Sequence, residues 1–513
     1  MNRRYWIKVA LGSLLTVPGL FSTGNSARSP GPRYFAISAG TSGAGVSGRS
    51  EADALRTPYP DYRFVREQLA AGDVVVFMPG IYRLTESVRL ADGIRYQASS
   101  GATAPVVIDA AGRVEHCISG SGCRDVVIDG FTCMNARFNG IDIHADPHNG
   151  RLPRNIVIRN CECSFNGTEE VAVDKLWHEQ GNGIAIHTGR GFRVPLETDT
   201  RGFLVENCDA YCNAHAGILI DLPGTGHCIN GCRAGNNGQA RDTNAWAILV
   251  RPPGGKLPAS WRRAGKGVLT RQSPRFRFQV PARVISTRIR SIKGGRWLNE
   301  PLFLDRAKGS QNLPAPGQFG FVENEKRGVG GLYVNPGPVA EFQLVVNWIG
   351  ECREPVIEDC EAWGQGGDDG VGIGFDQNVI DGTIRKCTSR SNKRGFSLHI
   401  NDGGSILDSE AVDNREYGIK ADRNMGRFTI RGNRSSNSGR AEFYLQSIGA
   451  SGRAILEKNT ADTDSVGFMI ESQKGDIHFG DGDALANRFS GGGKQLTSPG
   501  RRFEQLGSKI RRR

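Results

Sequence analysis

Short strands that follow Asn or Gly and alternate one apolar with one outward residue recur along the whole chain. They read NGIDIHAD (139–146), NGIAIHTG (182–189), AGILIDLP (216–223), WAILVRPP (246–253), DGVGIGFD (369–376), RGFSLHIN (394–401), YGIKADRN (417–424), AEFYLQSI (441–448) and VGFMIESQ (466–473). With the second inward residue as a marker, Ile373, Leu398, Ala421, Leu445 and Ile470 stand 25, 23, 24 and 25 residues apart. So tight a period is that of stacked coils, each burying its apolar side only against its neighbours. In the first half the markers Ile143, Ile186, Ile220 and Val250 are 43, 34 and 30 apart, the same coil carrying inserted loops. Inserted loops in such stacks gather on one face, often the binding face.

A second strand repeats in step with the first: VIRNCECSFN, LVENCDAYCN, CINGCRAGNN, VIEDCEAWGQ and TIRKCTSRSN. In these, Cys161, Cys208, Cys232, Cys360 and Cys387 each stand five residues before Asn166, Asn213, Asn237, Gln365 and Asn392. Stacking makes the first set a buried column of small side chains. It makes the second a column of amides at a turn, which can hydrogen-bond from coil to coil; Asn414 continues it. The 69 glycines and the scarcity of helical patterns agree with an all-β chain of short strands and many turns.

The net charge of +12 admits nucleic acid, an anionic surface or an acidic polysaccharide as partner. The opening MNRRYWIKVALGSLLTVPGLFSTGNSA chooses among them. Its basic start, short apolar core and small residues near Ala27 read as a signal peptide over residues 1–27, and Arg3-Arg4 fits a twin-arginine type. This predicts a periplasmic or secreted bacterial protein with no membrane segment after signal removal and no nucleic-acid partner. The expected divisions are a cap and first coils over 28–95, a stack of coils over 96–495 with an irregular insertion around 255–350, and a basic tail over 496–513. Within the insertion, PLFLDR and GGLYVNPG read as further coil strands with long excursions, with a separate small domain as the alternative.

With these repeats the chain resembles the right-handed parallel β-helix family of pectate lyases and related polysaccharide lyases, epimerases and hydrolases. The stretch YFAISAGTSGAG followed by DYRFVREQLAAGDVVVFMPGIYRL is similar to the N-terminal cap of those proteins, a short helix closing the open end of the stack. The resemblance implies an acidic polysaccharide as partner and a monomer or homotrimer.

Stacking places equivalent outward residues about 4.8 Å apart. The column beside the markers is expected to read His144, His187, Asp221, Arg251, Gly374, His399, Asp422, Gln446 and Glu471. The parallel column is expected to read Asp142, Ala185, Leu219, Leu249, Gly372, Ser397, Lys420, Tyr444 and Met469. Cleaving a uronate polymer by β-elimination needs a cation to neutralise the carboxylate, a base for the C5 proton and an acid for the departing oxygen. Arg251 and Lys420 suit the first task and are alternative bases. His144, His187 or His399 suit proton transfer, with Asp221 orienting an imidazole and Asp142 and Asp422 beside them. Lys175, in the inserted loop AVDKLWHEQGN, is a further binding candidate.

Two narrower resemblances follow. Asp146-Pro147-His148 is similar to a motif of mannuronan C5-epimerases whose Asp and His take part in the active site, although Ile143-His144-Ala145 precedes it in place of the family's aromatic-Gly-Phe. GGDDGVGIGFD looks like an acidic turn that holds Ca²⁺ in one pectate lyase family, which implies Asp368 and Asp369 as calcium ligands, although Gly372 stands at the family's further acidic position; Asp376, facing outward nearby, is expected to join them. The functions left open are a uronate lyase, a C5-epimerase and a non-catalytic glycan-binding surface protein. No other cofactor is implied.

Overall fold

The computed structural model describes residues 31–167, 180–188, 201–239, 245–251, 352–422, 426–446, 453–471, 476–480 and 486–497, apart from positions 43, 102, 147, 149, 150, 368, 369, 377, 378, 400 and 402, and the backbone of strands within 266–348 and 510–512. The chain winds into a right-handed parallel β-helix, the fold that the sequence resemblance implied. One coil runs through Arg124–Asp129, Phe131–Met134 and Asn139–His144, and each of these strands pairs in parallel with the equivalent strand one coil on. The result is three long sheets of thirteen, thirteen and twelve strands. The twelve-stranded sheet carries the NGIDIHAD-type repeats. At the N-terminal end the short helices Glu51–Ala54 and Arg63–Arg66 precede the strand Val74–Phe77, and Val65 and Tyr62 join the core there.

The interior is filled by stacked columns. Ile141, Ile184, Ile218, Ile248, Ile373, Phe396, Ile419, Phe443 and Phe468 follow one another in register, all fully buried. Phe443 and Phe468 stack with centroids 4.8 Å apart.

Each bend between sheets is made by one residue in the left-handed region. Asn160, Asn207, Asp359, Lys386, Asp408 and Lys458, with φ from 47° to 55°, immediately precede Cys161, Cys208, Cys360, Cys387, Ser409 and Asn459. That conformation is costly for residues with a Cβ, so something must hold it. The following side chain does so. The backbone N–H of Cys208 donates to the Sγ of Cys232 and that of Cys232 to the Sγ of Cys360 (3.4 Å each). Further on, the N–H of Cys387 donates to the Oγ of Ser409, and Ser409, Asn433 and Asn459 donate in turn to the next asparagine. The column expected to be cysteine therefore runs on as serine and then asparagine. At the second bend Asn166, Asn213, Asn237, Gln365, Asn392 and Asn414 form the expected amide column, with Asn166 N–H to Asn213 Oδ1 at 3.1 Å and Asn392 N–H to Asn414 Oδ1 at 3.2 Å. All twelve cysteines are free thiols.

The chain leaves the stack after Trp246–Arg251 and rejoins it at Cys352–Arg353 and Val356–Glu358, which pair with Gly224–Thr225 and Cys228–Asn230, before Val371–Asp376 pairs with Trp246–Arg251. Between them, the strands of 266–348 form two four-stranded sheets of their own. Val329–Asn335 pairs antiparallel with Phe276–Pro281 and Gln318–Asn324, and Leu302–Phe303 adds to the latter. This corrects the expectation that PLFLDR and GGLYVNPG are coil strands. Alternation shows that a segment is a strand, not which strand it will pair with.

Candidate functional site

The pleat of the twelve-stranded sheet sends every second residue outward, and parallel pairing in register sets those residues one above another. His144, His187, Asp221 and Arg251 stack as expected. The next rung differs. Val250 pairs with Phe375 and Ile373 pairs with Phe396, so the strand Val371–Asp376 sits two residues from the expected register and Asp376, not Gly374, follows Arg251. Gly374 belongs to the parallel column between Leu249 and Ser397, where Gly372 was expected. A Cβ at Gly374 would meet the Ser397 carbonyl and the Trp246 ring at 2.4 and 2.6 Å, so the position must be glycine. Asp376, His399 and Asp422 then continue the stack, followed by Gln446 and Glu471. Seven consecutive rungs thus read His, His, Asp, Arg, Asp, His, Asp.

The ladder has two ends joined by an ion pair. At the first end the fully buried Asp142 lies two residues before His144 on the same strand. Its Oδ2 is 2.8 Å from His144 Nδ1, its Oδ1 is 3.0 Å from His187 Nε2, and Asn139 Nδ2 donates to the same Oδ1 at 2.5 Å. His116, at the start of the preceding strand His116–Ser121, brings its Nδ1 to 3.6 Å from Oδ1. Burial pushes the Asp142 carboxyl up. The charges of His116 and His187 and the hydrogen bonds from His144 and His187 outweigh it and hold the group well below the usual carboxylate range. Burial pushes the His116 imidazole down, against the pull of Asp142.

In the middle Arg251 donates to Asp221 at 2.7 Å, both nearly buried. At the second end His399, a third exposed, stands between Asp376 (Nδ1–Oδ1 3.2 Å) and Asp422 (Nε2–Oδ2 3.7 Å). Lys420, on the strand of Asp422, brings Nζ to 3.6 Å from the same carboxylate. Beyond it Tyr417 and Tyr444 stack at 4.3 Å, Lys420 Nζ lies 5.7 Å from the Tyr444 centroid, and the Tyr444 hydroxyl donates to Glu471 at 2.7 Å. Beside Arg251, the side chains of Leu219, Trp246 and Leu249 pack together as an apolar cluster separate from the core.

The candidates therefore lie along one stripe but do not converge on one point. From His187 to the rung of Lys420 is five rungs, about 24 Å at the usual strand spacing. Asp146 and His148 stand apart from the stripe: Asp146 Oδ1 accepts the His148 backbone N–H at 2.8 Å, closing a turn, and the His148 side chain is exposed. Asp368, Asp369 and Lys175 lie outside the described residues, as does the signal segment 1–27. Sequence reading missed His116 and Asn139 as members of the first end. The signal for His116 was present in HCISGS, one coil before the first recognised repeat, and Asn139 opens that repeat, NGIDIHAD.

Residues 356–489, about a quarter of the chain, match a family model described as NosD, periplasmic copper-binding protein. No curated protein matches the chain. Among solved structures, the A-module of a mannuronan C-5 epimerase of Azotobacter vinelandii is similar at 11% identity over 83% of this chain and 89% of that one, with a TM-score of 0.44. A pectate lyase is similar at 10% identity over 86% of this chain and 78% of its own, TM-score 0.43. A rhamnogalacturonan lyase is similar at 13% identity over 94% and 87%, TM-score 0.34. No helix among the described residues is long and apolar enough to cross a membrane.

Proposed function

We propose that the protein is an exported enzyme that binds a uronate-containing polysaccharide along the twelve-stranded sheet and cleaves it by β-elimination. One observation carries this reading: His399, a third exposed, is flanked along the stack by Lys420 one rung to one side and Arg251 two rungs to the other. A polymer laid along the stack meets these groups in sequence. Lys420 neutralises the carboxylate of the sugar being cleaved, which makes its C5 proton removable, and Arg251 holds the carboxylate of a neighbouring sugar. His399 takes the C5 proton, and the C5 electron pair forms the C4–C5 double bond as the C4–O bond breaks. The imidazolium then gives its proton to the departing oxygen. Asp376 and Asp422, one rung to either side, hold the ring in place along the stack. The excess of basic residues draws the polyanion in.

Among the described residues of 356–489 no group of histidine, cysteine or acidic side chains gathers to hold the copper named by the matched family. Cys360 and Cys387 are buried core thiols and His399 stands between two carboxylates, whereas copper takes several imidazole or sulfur donors together. No step runs through it.

The test incubates the purified chain with alginate, pectate and hyaluronan and follows the ultraviolet absorbance of unsaturated uronate ends. A rise with one polymer, lost in His399→Gln and reduced in Lys420→Ala, is the expected result. No rise with any uronate polymer refutes the lyase, and proton NMR of the same mixtures then separates an epimerase, which changes the uronate signals, from a binder, which leaves them untouched.

A further inference from the structure

At the first end of the ladder more imidazole converges than one carboxylate needs. Asp142 accepts from Asn139 and is bonded by His144 and His187. Yet a third ring, His116, also points its Nδ1 at Asp142 Oδ1, and that nitrogen is buried without a hydrogen-bond partner. A buried polar atom aimed at a polar cluster but not bonded to it costs free energy unless something else satisfies it.

The geometry points to a divalent transition-metal site built from Asp142, His144 and His187, with His116 as the fourth ligand. The donor atoms of the first three all lie within 4.8 Å of one another, and the carboxylate-to-imidazole separations are 2.8, 3.0 and 3.6 Å. The first is to Oδ2 and the other two to Oδ1, and the two Oδ1 distances bracket the roughly 3.3 Å edge of a tetrahedron whose metal–nitrogen and metal–oxygen bonds are about 2.0–2.1 Å. The ligands come from three consecutive strands, His116–Ser121, Asn139–His144 and Ile184–His187, whose pairing fixes the distances between them. A site on paired strands is held more rigidly than one on loops. His144 keeps a quarter of its side chain open to solvent, which gives the ion a way in.

The donor set also selects the ion. One carboxylate and up to three imidazoles suit zinc, copper, nickel or iron(II), whereas calcium takes six to eight oxygens and magnesium an octahedron of them. The same set is not repeated at the other end, where one imidazole lies between two carboxylates. The site is independent of the lyase reading: it uses none of His399, Lys420 or Arg251, and it lies outside the residues matched to the copper-binding family.

The experiment uses the full chain without a histidine tag, stripped with a chelator, and titrates Zn²⁺ by calorimetry, with Co²⁺ as a spectroscopic probe of the ligand set. One equivalent of Zn²⁺ binds, the thermal midpoint rises on binding, and Co²⁺ gives the strong visible bands of a tetrahedral site. His187→Ala and His144→Ala weaken Zn²⁺ at least 100-fold and His116→Gln about 10-fold or more. His399→Gln leaves binding unchanged, and excess Ca²⁺ does not compete. Any of four results overturns the proposal: no stoichiometric Zn²⁺ binding by the wild type, equal binding by the His144 and His187 variants when circular dichroism shows them folded, loss of binding in His399→Gln, or displacement by Ca²⁺.

Discussion

Along the first bend of each coil Cys161, Cys208, Cys232, Cys360, Cys387, Ser409, Asn433, Asn459 and Asn487 present nearly the same small polar side chain at every rung. Along the outer face of the twelve-stranded sheet His144, His187, Asp221, Arg251, Asp376, His399 and Asp422 change character at almost every rung. Both columns stand on the same lattice. In the inner one each side chain accepts the backbone N–H of the coil before it, as the next side chain does for its own coil, so a single solution is repeated and its members can be exchanged for their like. In the outer one each group is defined by unlike neighbours, so what a residue does depends on its rung.

The difference is broken most severely by removing one amide from the inner stack. Asn213 accepts from the backbone N–H and Nδ2 of Asn166 at 3.1 and 3.0 Å and donates to the Cys163 carbonyl and Asn237 Oδ1 at 3.0 and 2.9 Å. Leucine has similar bulk and none of these groups. Asn213→Leu leaves buried donors and acceptors unpaired on both neighbouring coils, and should cost about 3–5 kcal/mol, read as a lowered denaturant midpoint. A loss under about 1 kcal/mol would mean that the amide column merely fills space.

The same contrast explains which parts of the molecule are legible in its sequence. The inner columns are legible because repetition is itself the signal: five cysteines five residues ahead of five amides admit one register. The outer ladder is legible only as far as the register holds. In VGIGFD both Ile373 and Phe375 point inward, and nothing in that strand alone says which of them meets Leu398, so sequence spacing assigns Gly374 the place that belongs to Asp376. The insertion misleads for a related reason, since GGLYVNPG alternates as well as any coil strand but finds its partners beside it in sequence. His116 escapes the repeat because its strand, HCISGS, lacks the Asn-Gly start of the strands that follow.

A second test puts an outer kind of residue under inner conditions. His227, just before the strand Cys228–Asn230, is almost fully buried against Phe203, with ring centroids 4.8 Å apart. Unlike the ladder histidines, it has no carboxylate among the groups that set its ionisation. Burial outweighs the carbonyls of Pro223 and Leu222 and pushes the imidazole down to about 4 from 6.5. Its folded-state pKa is thus below its unfolded one, so the stability this neutral ring allows is complete above pH 6.5 and is lost as pH falls toward 4. The loss amounts to about 3 kcal/mol. His227→Leu should flatten the fall in denaturant midpoint over that window; an unchanged pH profile would assign the acid sensitivity to the ladder instead.

The smallest effect is expected where the inner column is exchanged for its own kind. Cys232 Sγ lies 3.3 Å from the Asn230 carbonyl, two residues back, and accepts the N–H of Cys208 at 3.4 Å. Ser409 makes the same two bonds farther along, to the Leu407 carbonyl at 2.7 Å and from the N–H of Cys387 at 3.1 Å. Cys232→Ser therefore imports a solution the molecule already uses, and should cost less than about 1 kcal/mol, the residue of a smaller atom in a well-packed site. Cys232→Ala removes the acceptor altogether, leaves the Cys208 N–H buried and unpaired, and should cost about 1–3 kcal/mol. The order of the two variants is the decisive quantity. Serine less stable than alanine would mean that packing, not hydrogen bonding, holds the column, and that the passage from cysteine to serine to asparagine along the stack follows the width of the coil and not the need to satisfy its bends.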